Sequence, residues 1–217
     1  MIRQMHARMR EILLILIVAG LSASCGSSRP IKYYELDVPD APVENATSAL
    51  PVSLLVARVT ADHLYRDERL VYRASELQLG TYEYQRWSEP PADMIQESLI
   101  SALRATKQYR SVAAIASNLH GDYIVRAHLD ALDEVDKPQL AARFSLHLEL
   151  YDPKSASIVW SDSYTHDERV SGKNVVDVVK ALNDNVRAGT QTLVENLGRY
   201  FASHPPQGAL GGSRPSP

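Results

Sequence analysis

Apolar residues recur along this chain with two different periods, and the switches between them mark out most of its elements. Val175, Val179, Leu182, Val186, Leu193, Leu197 and Tyr200 fall on one stripe at helical spacing, which predicts a long amphipathic helix from about Asn174 to Ser203. Gly189 lies on that stripe, where it either permits close approach to a sheet or allows a bend. An earlier stripe, Ile95, Leu99, Ala102 and Leu103, follows Pro90 and Pro91. Proline is tolerated in a first helical turn, where the backbone amide has no partner, so a helix starts there and ends near Lys107.

Elsewhere the period is two. Tyr123, Val125, Ala127, Leu129 and Ala131 alternate with Arg126, His128 and Asp130; Ala142, Phe144, Leu146, Leu148 and Leu150 alternate in the same way between Leu140 and Asp152. Each segment reads as a strand with one buried face. Asp152-Pro153-Lys154-Ser155 is a turn with proline at its second position, and Ile158 and Trp160 continue the apolar side beyond it. An antiparallel meander with a shared apolar face requires an odd sum of paired residue numbers in the first hairpin and an even sum in the second. A short loop near Asp136 and Lys137 then sets Asp130 opposite Arg143, and the second hairpin sets Leu148 opposite Trp160.

Upstream, Pro51 to Ala61 is apolar on both alternations, as suits a central strand covered on both sides. Leu70 to Ala74 and Leu77 to Tyr82 form a predicted hairpin, with Gly80 compatible with a bulge. Lys32 to Val38, closed by Pro39, reads as a short edge strand. The order strand, strand, hairpin, helix, three-strand meander, helix predicts an α+β fold, with two amphipathic helices packed on one face of a mixed, mainly antiparallel sheet.

The first thirty residues are of another kind. Arg3, Arg8 and Arg10 precede an apolar run from Ile12 to Leu21, followed by small residues up to Cys25, the only cysteine in the chain. The run is shorter than the roughly 20 residues a membrane-spanning helix needs, so it reads as a secretory signal over residues 1–24. "LSASC" resembles a bacterial lipobox in relaxed form, with Ser22 where leucine is commonest. The resemblance implies cleavage after Ser24, acylation of Cys25, palmitate included, and a lipidated tether over residues 25–31. A folded domain over residues 32–203 and an unstructured tail over 204–217 complete the organisation, with a linker from Asp40 to Ala49. Multiple acyl chains on one cysteine make a stable membrane anchor.

Composition narrows the function. The chain carries 23 basic and 26 acidic side chains, a net charge of −3, and lacks the basic runs that a phosphate backbone needs, so nucleic acid is not an expected partner. The motifs of serine hydrolases, zinc proteases, nucleotide-binding loops and dinucleotide folds are absent from the sequence. The strongest catalytic grouping is His128, His147, Asp130 and Glu149, which alternation sets on one sheet face. It reads as a metal or acid-base cluster or, more simply, as the solvated side of a half-covered sheet. Ser161, Asp162 and His166 have a nucleophile's residue types but no geometry in the sequence. No catalytic residue, cofactor or metal is expected. Eleven tyrosines against two phenylalanines, including Tyr72, Tyr82, Tyr84, Tyr109, Tyr123, Tyr151 and Tyr164 in or beside predicted strands, suit a half-exposed sheet or an interface.

Three segments together resemble the ABC-type transport auxiliary lipoproteins, which include the paraquat-inducible operon lipoprotein. They are "KYYELDV" after the lipobox, "LVYRASELQLGTYEYQRWSEPPADMIQESL", and the closing helix. Trp87, Glu89 and Pro90 match the family's motif after its aromatic strand, while Ser88 and Pro91 replace the usual alanine and leucine. The resemblance implies a non-catalytic, lipid-anchored periplasmic accessory of an MCE-type transporter that moves phospholipid or other hydrophobic molecules across the envelope. Its implied partners are an MCE-domain protein and, through it, an ABC permease and ATPase. Some members form rings, so a homo-oligomer is compatible. Gly26 after the cysteine resembles the signal for transfer to the outer membrane. An outer-membrane structural or assembly lipoprotein that scaffolds another envelope complex remains the alternative.

Overall fold

The computed structural model describes residues 29–38, 50–116 and 119–206, of which those from Ile31 onward belong to one unit. The expected signal segment, Cys25, the linker after Val38 up to Ala49, and the tail beyond residue 206 lie outside the described residues. In chain order the elements are β1 (Lys32–Tyr34), β2 (Leu50–Val56), β3 (Thr60–Ala61), a 3-10 turn (His63–Arg66), β4 (Arg69–Ser75), β5 (Gln78–Trp87), α1 (Pro91–Ala105), β6 (Tyr109–Ala114), β7 (Tyr123–Val135), β8 (Ala141–Asp152), β9 (Ser157–Arg169) and α2 (Val175–Ser203).

β7 organises the sheet. Along one edge it pairs antiparallel with β8, which pairs antiparallel with β9. Along its other edge β2, β3 and β4 pair with it in parallel, one after another from its start to its end. β6 joins the outer side of β2 in parallel, β5 pairs antiparallel with β4, and β1 pairs in parallel with β5 at the sheet edge. The α+β class, the mixed sheet and the two helices agree with the sequence reading. The long pairings are antiparallel, and the parallel ones are short.

α2 lies across β8 and β9, and α1 packs against α2 and β6. The helix-facing residues of β8, Phe144, Leu146, Leu148 and Leu150, have no exposed surface, and Leu182, Val186, Leu193 and Leu197 of α2 are at most 2% exposed. Asn174 caps α2 reciprocally with Asp177, which satisfies two of the amides that a helix start leaves open. Of the two roles open to Gly189, close approach is the one observed. A Cβ there would lie 2.6 Å from Cδ1 of Tyr164 and 2.8 Å from Cε1 of Phe144. Beside it, Asn185 is 1% exposed. Its amide donates to the carbonyl oxygens of Ala142 and His166, while its Oδ1 accepts from Tyr164.

Five expectations need correction. β6 does not stand out in the sequence: Tyr109–Ala114 is six residues long with Arg110 and Ser111 both exposed, too short a pattern for a periodic signal. The edge strand ends at Tyr34 rather than Val38. In the first hairpin the odd-sum register holds from Ile124↔Tyr151 to Leu129↔Leu146, then shifts across a bulge at Asp130. Arg143 therefore faces Asp133, not Asp130: the hairpin loop is centred about one residue later than expected, which moves each partner by two, and the bulge inserts one residue more on the β7 side. In the second hairpin the even sum holds from Ala141↔Arg169 to Leu150↔Trp160, displaced by one pair so that Trp160 faces Leu150 and Leu148 faces Asp162, and it is lost at the irregularity beside the turn, where Tyr151 faces Ile158. Gly80 is not at a bulge. It faces Tyr72 in the ladder, and a Cβ there would collide with the Tyr72 ring.

Candidate functional site

Two regions gather the molecule's chemistry, one on each face of the sheet. On the open face, His128 and His147 stand directly opposite each other in the β7–β8 ladder, as alternation predicts. Nδ1 of His128 is 2.8 Å from Thr60 Oγ1, and its Nε2 is 3.3 Å from Asp62 Oδ1. Nδ1 of His147 is 2.8 Å from Ser163 Oγ, and its Nε2 is 3.4 Å from Glu149 Oε1. Asp130, at the bulge, accepts from Ser145. The Arg126 guanidinium sits 3.9 Å from the centroid of the Tyr151 ring.

The two histidines and Glu149 share a hollow of about 310 Å³ with Arg58, Thr60 and Arg126. Each imidazole there has both nitrogens engaged, one with a hydroxyl and one with a carboxylate, as on a hydrogen-bonded polar sheet face. Among the described residues, no group of three or more His, Cys, Asp or Glu is arranged to hold a metal ion. Ser161 faces Glu149 on this open side, whereas Asp162 faces Leu148 and His166 faces Phe144 on the helix side. Strand alternation therefore divides the supposed nucleophile group between two faces.

On the helix side, α1 and α2 leave a groove of about 380 Å³ between them, within the usual size of a ligand pocket. Its lining includes Ala102 and Ala105 of α1 and Val186 and Val194 of α2. Thr190, 2% exposed, donates its hydroxyl hydrogen bonds to the carbonyls of Val186 and Arg187. Its polar group is thus satisfied within the helix.

One end of the groove is filled by the segment after β1. Leu36 is 4% exposed and packs in the core. Asp37 is held beside it: its backbone amide donates to Asn183 Oδ1 at 2.8 Å, and its Oδ2 accepts from Arg187 Nη2 at 2.8 Å. A leucine flanked by acids in "YELD" and small residues at helical spacing in α1 are the sequence signals of this site. Neither points to a groove until the two helices and the segment are brought together.

The motif residues lie on the other side of that segment. Trp87 is 1% exposed, ends β5 opposite Tyr34, and donates its backbone N–H to Glu68. Pro90 is the N-cap of α1, with Pro91 in the first helical position, and its carbonyl accepts from Asp93 and Met94. Glu89 lines a separate hollow of about 520 Å³ with Glu35 and Glu97. In these positions Trp87 and Pro90 serve to join the sheet to the helix. Cys25 lies outside the described residues.

Buried ionisable groups cluster at the far end of β7. The Asp133 side chain has no exposed surface and pairs with Arg73, and burial raises its pKa against the opposing pull of Arg73 and Arg143. Burial likewise raises Glu134, whose Oε2 accepts from the Tyr82 hydroxyl. On the sheet surface Arg143 instead pulls Asp167 down through two 2.7 Å hydrogen bonds.

Compared with known proteins, the chain matches the family described as the ABC-type transport auxiliary lipoprotein component over residues 34–194. That span runs from the end of β1 into α2. A solved Xanthomonas campestris protein of the DUF330 family is 22% identical, with a TM-score of 0.70, covering 79% of this chain and 99% of its own. A second solved structure, of an uncharacterized protein, is 13% identical with a TM-score of 0.62, covering 78% of this chain and 99% of its own. At these identities the likeness is one of fold. No curated protein matches the chain.

Proposed function

Because the chain belongs to the family of ABC-type transport auxiliary lipoprotein components, we propose that it is a lipid-anchored, non-catalytic accessory of an MCE-type transporter that moves phospholipid or another hydrophobic substrate through the bacterial envelope. In this reading Cys25 carries the acyl anchor and the domain from Lys32 to Ser203 faces the periplasm, held at the outer membrane. Its partner is an MCE-domain protein coupled to an ABC permease and ATPase. Self-assembly into a ring is compatible with this role.

The observation that carries the reading is the extent of the family match, which takes in nearly the whole described body rather than one motif. The groove between the helices adds support, since it provides a mainly apolar surface next to the helices. The test is affinity purification of the tagged chain from cross-linked envelopes. Recovery of an MCE-domain protein together with its ATPase is expected. Repeated recovery of an outer-membrane assembly complex without either would support the scaffolding alternative and overturn this one.

A further inference from the structure

We propose that the groove between α1 and α2 binds one acyl chain of a phospholipid, with the lipid phosphate on Arg187, and that Leu36 and Asp37 occupy the site as an internal stand-in for that ligand. This deepens the transport reading above and rests on it for the class of molecule the protein meets.

The geometry assigns each half of the ligand a place. Leu36 shows what the groove accepts, because an aliphatic side chain already closes one end of it, packed in the core at 4% exposure. About 380 Å³ is open beside it, where Ala102, Ala105, Val186 and Val194 alternate with small hydroxyl side chains such as Ser98 and Thr190, and the exposed lining is mainly carbon. Covering such a surface is favourable in proportion to the apolar area removed from water. Asp37 shows what the mouth accepts. Its carboxylate takes a 2.8 Å hydrogen bond from Arg187, so an anion next to an aliphatic group is the arrangement the site already holds.

The planar guanidinium of arginine suits a phosphate at least as well as a carboxylate. The charges around the groove also give the ligand a direction. Glu195 lines it, and accepts from Gln191 at 2.9 Å, so an anionic headgroup is disfavoured beside it and favoured at Arg187. The displaced contact is weakly held: the side chains of Arg187 and Asp37 are 48% and 74% exposed, and ion pairs so open to solvent contribute little. Exchange of Asp37 for a ligand phosphate therefore costs little, while the apolar groove supplies the binding.

The same arrangement predicts opposite signs for the two partners of the ion pair. Asp37→Asn removes the competing anion and should tighten binding by about fivefold, the scale of an exposed ion pair. Arg187→Gln removes the phosphate's partner and should weaken it by about the same factor. A purely structural latch would give no such opposition.

The experiment uses the full chain carrying Cys25→Ser, titrated with a fluorescent lysophosphatidylglycerol below its micelle concentration. An uncharged maltoside of equal chain length serves as control. Saturable binding stronger than that of the maltoside, tightened by Asp37→Asn, weakened by Arg187→Gln and blocked by Ala102→Phe at unchanged thermal midpoint, is the expected result. Absence of binding overturns the proposal, as does equal binding of the maltoside with no response to either charge variant. If Ala102→Phe fails to fold, the two charge variants at the exposed pair decide alone. No partner protein is present in the titration, so its failure leaves recovery of an MCE-domain protein from envelopes as a separate result.

Discussion

Arg73 holds its Nη2 2.9 Å from Oδ2 of Asp133, a carboxylate with no exposed surface. Arg73 Nε at 3.1 Å and the Tyr65 hydroxyl at 3.2 Å bond the same oxygen, while Oδ1 is buried without a hydrogen-bond partner. Removing one member of a buried pair leaves an uncompensated charge, so Arg73→Ala should destabilise the domain by about 3 kcal/mol, read from urea unfolding. The pH dependence follows from the direction of the shift. Burial raises the Asp133 pKa in the folded state, so the folded protein binds this proton more readily than the unfolded chain. The resulting contribution is fully present below the unfolded value of about 3.9 and is lost as pH rises through the raised folded value. The stability of the native sequence relative to Asp133→Asn should therefore improve as pH falls from 7 towards 4. A difference that is constant, or that moves the other way, would show that Arg73 dominates the carboxyl's environment.

Gly189→Ala tests how closely α2 lies on the sheet. The added Cβ would meet the rings of Tyr164 and Phe144 at 2.6 and 2.8 Å. Both rings pack in the core, so overpacking of about 1–3 kcal/mol opposes a helix-propensity gain of about 1 kcal/mol. A net loss of roughly 1 kcal/mol in a urea titration is expected. A gain would mean that the rings yield freely.

Trp87→Ala probes the junction between β5 and α1. The indole is 1% exposed, and truncation of a buried tryptophan costs about 3–5 kcal/mol. Equilibrium unfolding should show that loss with the helical circular dichroism of the folded state preserved. A change below about 1 kcal/mol would contradict a packing role and point to partner binding instead.

Cys25→Ser addresses the anchor. The variant should fold as the native sequence does and move from the membrane fraction to the soluble periplasm, as loss of acyl chains requires. Unchanged fractionation would contradict the lipobox reading.

Periodicity exposed the parts of this fold that repeat for long enough. α2, β7 and β8 each carry a long apolar face, and their arrangement follows from burying it, whereas β9 has Asp162 and His166 among its helix-side positions. Pairing parity was legible as far as the irregularities after Leu129 and Leu150, but absolute register was not. A single extra residue at Asp130 shifts the ladder, and nothing in the alternation of Ala127, Leu129 and Ala131 marks it. β6 escaped because six residues with two exposed polar positions resemble a loop. The open-face histidines were readable as neighbours from alternation alone. The groove was not, since Leu36, Ala102 and Arg187 are far apart in sequence and meet only when the segment after β1 inserts between the helices. Asp133 was hidden for a related reason: a carboxylate in a strand reads as solvent-facing until Arg73 and Tyr65 are folded over it.

The most direct test of the central claim is genetic epistasis in phospholipid movement between the two membranes, followed with a pulse of labelled glycerol. Strains lacking this protein, lacking the ATPase of its proposed transporter, or lacking both are compared. An accessory acting through that transporter predicts a defect in each single deletion and no further defect in the double. Additive defects, or normal movement without this protein, would contradict the account.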